Sequence, residues 1–99
     1  MGNRTINWDK IALKQFVAAI EYIKKDSIQN AEKFHSEIVS KIEAIPFNPE
    51  KFPADRYKLN NNGLYRAFES NHFRIAYYIA PDKIRILRMR HTSREPRNY

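Results

Sequence analysis

The chain has 99 residues, of which 42% are hydrophobic, and a formal net charge of +7; this is one domain's worth of polypeptide, spanning 1–99, with room for a modest core. It contains no cysteine, which excludes a disulfide framework and a thiolate zinc site and suits a reducing cytoplasm. No apolar run approaches the roughly 20 residues of a membrane helix, and Met1-Gly2-Asn3-Arg4 leads into a polar stretch, so neither a membrane span nor a secretory leader is expected.

His35, His72 and His91 show no metal-ligand spacing, and no metal or cofactor is expected. The charge is informative about partners rather than fold: nucleic acid, an acidic protein or an anionic membrane would be attracted. In the last third, Arg66, Arg74, Arg85, Arg88, Arg90, Arg94 and Arg97 stand against the single lysine Lys83. The planar guanidinium matches phosphate oxygens better than an ammonium does.

Residues 3–8 alternate polar and apolar, as a short strand does. Asp9 can cap a helix over about 9–25, whose stripe is Ile11, Ala12, Phe16, Ala19, Ile20 and Ile23, with Trp8 ahead of it. Asp26 and Gln29 form a capping box for a second helix. Ile28, Ala31, Phe34, Ile38, Ile42 and Ile45 make its apolar face, and Pro46 ends it. So short a join predicts an antiparallel helix hairpin. His35 falls on the apolar side of the second helix and reads as packing.

Residues 46–63 carry three prolines and Asn60-Asn61-Asn62-Gly63, an irregular connection of the length that is often functional. Strands are expected at 64–69, 72–80 and 83–90, with turns at Ser70-Asn71 and Pro81-Asp82, giving an antiparallel meander. In the second of these, Phe73, Ile75, Tyr77 and Ile79 should pack on the helices, while His72, Arg74, Ala76 and Tyr78 look outward. In the third, strict alternation puts Ile84, Ile86, Arg88 and Arg90 opposite Leu87, Met89 and His91. Both sets are mixed, and the sides stay open. The polar tail, His91 to Tyr99, is expected to leave the sheet. The fold class is therefore α+β: an N-terminal strand, then a helix hairpin packed on a C-terminal antiparallel meander.

This order of elements resembles the RelE/ParE toxins of type II toxin–antitoxin systems, the plasmid stabilization type. Tyr65-Arg66-Ala67-Phe68 and Phe73-Arg74-Ile75-Ala76-Tyr77 resemble the family's "yRa…yRi.Y" pattern, residues 84–91 its final strand, and His91-Thr92-Ser93-Arg94-Glu95-Pro96 the closing H-x-x-R-x-P. The resemblance implies one of two activities. RelE-like and YoeB-like members cut messenger RNA on the ribosome, whereas ParE-like members poison DNA gyrase. It also implies a partner, an acidic cognate antitoxin that wraps the basic sheet face and the helix hairpin.

Metal-independent RNA cleavage by the 2′-hydroxyl needs a base, an acid and positive charge on the phosphate. Arg74 matches the arginine that contacts the scissile phosphate in RNA-cleaving relatives. A structural pairing with a carboxylate such as Glu69 is its alternative. His91 is the acid or base by virtue of its residue type. Asp55 falls, by loop spacing from Gly63, where YoeB-like members place a base glutamate, with Glu50 as the fallback. Arg66, Arg90 and Arg94 are expected on phosphate and Lys58 on RNA. His72, at a turn, reads as structural or phosphate-contacting. Tyr99 resembles a tail tyrosine that stacks on a base, although this tail is longer than the YoeB-like one. The favoured expectation is a ribosome-dependent endoribonuclease. The alternatives are a gyrase poison without nuclease activity and a non-catalytic basic nucleic-acid-binding module.

Overall fold

A computed structural model describes residues 4–94 and 96–99. Asn3 of the first expected strand and Glu95 of the closing motif lie outside the described residues. The elements are β1 (Thr5–Trp8), α1 (Lys10–Asp26), α2 (Ile28–Ala44), a 3-10 turn (Ile45–Phe47), β2 (Tyr65–Ser70), β3 (Phe73–Ile79) and β4 (Lys83–His91). The sheet order is β1-β4-β3-β2. The last three strands form the expected antiparallel meander. β1 joins it parallel to β4, from Thr5 opposite Lys83 to Trp8 opposite Ile86. The helix hairpin supplies the long crossover that a parallel pair requires.

Ser27 alone separates the helices and terminates both. Its N–H donates to the Ile23 carbonyl at 3.1 Å, and its Oγ accepts from the Asn30 N–H at 3.1 Å. The cap is thus Ser27, not the expected Asp26 box. Asp9 occupies the N-cap position of α1 without a side-chain cap; its carboxylate instead receives Arg85, with Nη2 to Oδ2 at 2.7 Å. That bidentate pairing is the stronger use of a carboxylate. α2 stops at Ala44, just ahead of Pro46, which sits in the 3-10 turn that follows.

Ala12, Phe16 and Ala19 of α1 and Phe34, Ile38 and Ile42 of α2 pack on Ile75, Tyr77 and Ile79 of β3, the face that alternation selected. Two residues of the expected stripes, Ile11 and Ile28, are exposed. His35 is exposed too, its ring stacked 5.6 Å from that of Phe16.

Two departures set the geometry of the other face. The hairpin between β2 and β3 turns at Asn71-His72, one residue later than expected, and both residues have positive φ (54° and 68°). That is the geometry a two-residue turn needs to match strand twist. In β4 the register slips: Tyr77 faces Ile86 but Ala76 faces Arg88, leaving Leu87 as the extra residue. This β-bulge reverses side-chain parity. Ile84, Ile86 and Met89 are therefore all buried in the core, while Arg85, Arg88 and Arg90 lie opposite Tyr78, Ala76 and Arg74 of β3. The expected grouping of Arg88 and Arg90 with Ile84 and Ile86 fails because the strand is not uniformly pleated.

Among the described residues no helix is long and apolar enough to cross a membrane. Ile38 is wholly buried between hairpin and sheet. Ile38→Ala is expected to lower stability by about 2–5 kcal/mol, seen as a reduced urea midpoint with an unchanged m-value.

Candidate functional site

The outer face of the sheet is not bare. Residues 53–55 run along β2, with Ala54 bridged to Arg66, Asp55 N–H on the Tyr65 carbonyl at 2.8 Å and Ala67 N–H on the Pro53 carbonyl at 3.3 Å. Asn61 pins the loop: its amide Nδ2 donates to the Asp55 and Tyr65 carbonyls, and its Oδ1 accepts from the Gly63 and Tyr65 N–H groups. The tail returns to this loop. Tyr99 N–H donates to the Tyr57 carbonyl at 2.9 Å, and Leu59 N–H donates to the Tyr99 carbonyl at 2.6 Å. Ala76, expected outward, is consequently buried.

At the centre lies Asp55, only 2% exposed. Its Oδ1 accepts from Arg74 Nη2 at 2.6 Å and from the Tyr57 N–H at 3.0 Å, and its Oδ2 accepts from the Tyr99 hydroxyl at 2.6 Å. Burial works to raise the Asp55 carboxyl. The hydrogen bonds from Tyr99, Arg74 and the Tyr57 backbone, together with the Arg74 charge, outweigh it and hold the group below the usual carboxylate range. Burial and the adjacent carboxylate push the Tyr99 phenol well up. Arg74 also reaches Glu69 at 3.5 Å and lies 4.8 Å from the Tyr57 ring centroid.

Arg74, Arg90, His91 and Arg94 line one cavity of about 50 Å³ beneath the tail, against about 300–1,000 Å³ for a pocket that takes a small molecule. His91 stands at the exposed end of β4. Its Nδ1 lies 2.7 Å from the Ser93 Oγ and 3.1 Å from the Ser93 backbone nitrogen.

Arg66 and Lys58 are engaged within the chain. Arg66 lies opposite Tyr77, on the core side of the sheet, and its guanidinium donates to the carbonyls of Gly63, Glu50 and Phe52. It braces the loop and is not in the Arg74 group. Lys58 donates to the Leu59 carbonyl and sits over the Tyr65 and Tyr99 rings at 4.6 and 5.5 Å. Tyr99 has its hydroxyl on Asp55 and its ring under Arg88, 3.9 Å away. Exposed His72 stacks loosely on His91, at 6.3 Å, and its carbonyl accepts the Thr92 N–H.

From the sequence, Arg88 and Arg97 count only among the clustered arginines, with no site role, and Tyr57 is not singled out. Arg88 also donates to the Arg97 carbonyl at 2.9 Å. Its place opposite Ala76 follows from the Leu87 bulge, which exists only in the paired strands. Among the described residues, no three acidic or histidine side chains are grouped to hold a metal ion.

A helix hairpin on one face of a small mixed sheet, with arginines and a docked tail on the other, defines a RelE/ParE-like fold. The family description "ParE toxin of type II toxin-antitoxin system, parDE" matches residues 6–96. The chain belongs to this family of toxins. No curated protein sequence matches it. Among solved structures, it is similar to one described as "Chromosomal ParDE TA system from P. aeruginosa", with TM-score 0.69 and 16% identity over 92% of this chain and 98% of that one. It is also similar to "The structure of YoeB dimer from Staphylococcus aureus", with TM-score 0.52 and 15% identity over 90% of this chain and 97% of that one. At these identities the likeness is one of fold.

Because the Asp55 carboxyl is lowered on folding, its contribution is present above its unfolded value, near 4, and is lost as pH falls through the folded value. Asp55→Asn is expected to cost about 1.5–3 kcal/mol at pH 7. In urea titrations the gap from the wild type should stay constant above about pH 5 and shrink toward about pH 2. A pH-independent gap would show that the ionised carboxylate is not what holds the knot.

Proposed function

We propose that this toxin poisons DNA gyrase without cleaving RNA and is neutralised by an acidic antitoxin. The observation that carries this reading is the closure of Asp55. A general base must reach the proton it takes and be poised near the working pH. Here both carboxylate oxygens are occupied, and the group is held below its ordinary range. Arg74, the expected charge on the scissile phosphate, is paired with that same carboxylate. The match to the ParE toxin family supports the same target, since ParE-like members are the gyrase poisons that the resemblance implies. The net charge of +7 and the description of the P. aeruginosa neighbour as a ParDE toxin–antitoxin system support an acidic antitoxin.

A second reading, messenger-RNA cleavage on the ribosome, has His91 in its favour. The ring is exposed, its Nδ1 is tied to Ser93, and it shares a cavity with Arg74, Arg90 and Arg94. In that case His91 Nε2 would carry the proton transfer, and a base other than Asp55 would have to serve.

Induction in a bacterial host, with protein synthesis and DNA breaks followed separately, distinguishes the two. DNA damage signalling is expected first, with translation continuing, and His91→Ala should remain toxic. An immediate stop in translation with intact DNA, relieved by His91→Ala, would establish the second reading instead. Pull-down of the chain from its native host should recover an acidic protein.

A further inference from the structure

We infer that Arg90, Arg94 and Arg97 form a clamp for the phosphodiester backbone of duplex DNA, and that the Asp55–Tyr99 contact is the latch that assembles it. The inference deepens the proposed action on gyrase, whose target complex contains DNA, and rests on that reading for its biological sense.

These arginines, with Pro96, line an open groove of about 430 Å³. Arg90 lies directly across the sheet from Arg74. Like charges in that relation repel unless something offsets them. Arg74 is offset by Asp55 and Glu69. Among the described residues the remaining ion pair is Arg85 with Asp9, and no carboxylate pairs with Arg90, Arg94 or Arg97. Among the described residues the Arg90 Nε is buried without a hydrogen-bond partner. Clustered arginines with no carboxylate partner among the described residues are suited to phosphate oxygens, which they take in bidentate fashion.

The groove's lining points to a duplex rather than a single strand. Proteins that hold single strands stack bases on aromatic rings. Among the described residues no aromatic side chain lines this groove. The nearby rings already carry cations, Tyr99 under Arg88 and Tyr57 under Arg74. What remains is backbone contact, the kind that positions a protein on DNA whose bases stay stacked inside. Arg97 reaches the cluster because the tail is fastened at and beyond it: its own carbonyl accepts from Arg88, and Tyr99 is bound to Asp55 and Tyr57.

The test is fluorescence anisotropy of the purified full chain with a labelled DNA duplex, across a salt series. Folding of each variant is checked by circular dichroism. The triple variant Arg90→Gln/Arg94→Gln/Arg97→Gln should lose on the order of tenfold or more in affinity and flatten the log K against log salt slope by about 3. Arg94→Gln/Arg97→Gln, which alters only exposed side chains, should flatten it by about 2. Tyr99→Phe, with every charge retained, should flatten it by about 1 by releasing Arg97. The charge-matched control Lys24→Gln/Lys25→Gln/Lys33→Gln, on exposed helix positions, should change the slope far less.

Equal losses in control and cluster variants overturn the clamp in favour of diffuse charge. Tighter binding to single-stranded RNA of the same length overturns the duplex assignment, and an unchanged slope in Tyr99→Phe overturns the latch. Site-dependent duplex binding by a chain that causes no DNA breaks in cells supports the clamp while rejecting gyrase as the target. DNA breaks from a triple variant that has lost duplex binding overturn the clamp's part in toxicity and leave the gyrase reading standing.

Discussion

The outer half of this molecule is organised around one buried carboxylate. Asp55 collects the Arg74 guanidinium, the Tyr99 hydroxyl and the Tyr57 backbone N–H. A buried charge persists only when its acceptor sites are filled. That requirement ties three segments together: the irregular loop, the middle of the sheet and the tail. Arg66 anchors the same loop from the core side through three carbonyls, and the buried Tyr77 hydroxyl donates to the Pro49 carbonyl. The long connection is therefore a fixed part of the structure, and the tail has a surface to dock on.

The bulge at Leu87 performs the complementary task on β4. Without it, the strand could not bury Ile84, Ile86 and Met89 on one face and still set Arg85, Arg88 and Arg90 on the other. The extra residue lets one strand serve the core along its whole length while setting its arginines on the outer face. Arg85 is drawn to Asp9 at the start of α1 and Arg88 to the Tyr99 ring. Arg90 has no such partner among the described residues, and the asymmetry gives the surface its direction: neutralised near β2, cationic toward the end of β4.

This arrangement bears on how one fold supports different toxins. A helix hairpin on a small sheet says little about chemistry, since function resides in the site built on the scaffold. A sheet face open to a nucleotide with a poised carboxylate would suit phosphodiester cleavage. A face sealed by its own tail, with the carboxylate consumed as a structural tie, suits recognition through its rim. In this chain the seal consists of a few side chains and the path of residues 96–99.

The periodic parts of the chain were legible from local pattern. The helix hairpin, the meander and the inward set Ile75, Tyr77 and Ile79 follow from the spacing of apolar residues, because burying one face demands that spacing whatever the partner. The family resemblance likewise rested on strand motifs that survive in sequence. What the linear order withheld was decided by contacts between distant residues. Asp55 reads as a loop carboxylate until Arg74, 19 positions on, and Tyr99, 44 positions on, close around it. Arg66 and Arg74 look equivalent as strand arginines, yet opposite pleats send one to brace a loop and the other to the outer face. The β4 parity could not be read, because a bulge is a mismatch in length between paired strands and exists only once they pair. Local composition determined which segments bury a face; the tertiary structure alone decided which charges meet, since that depends on through-space distance rather than order along the chain.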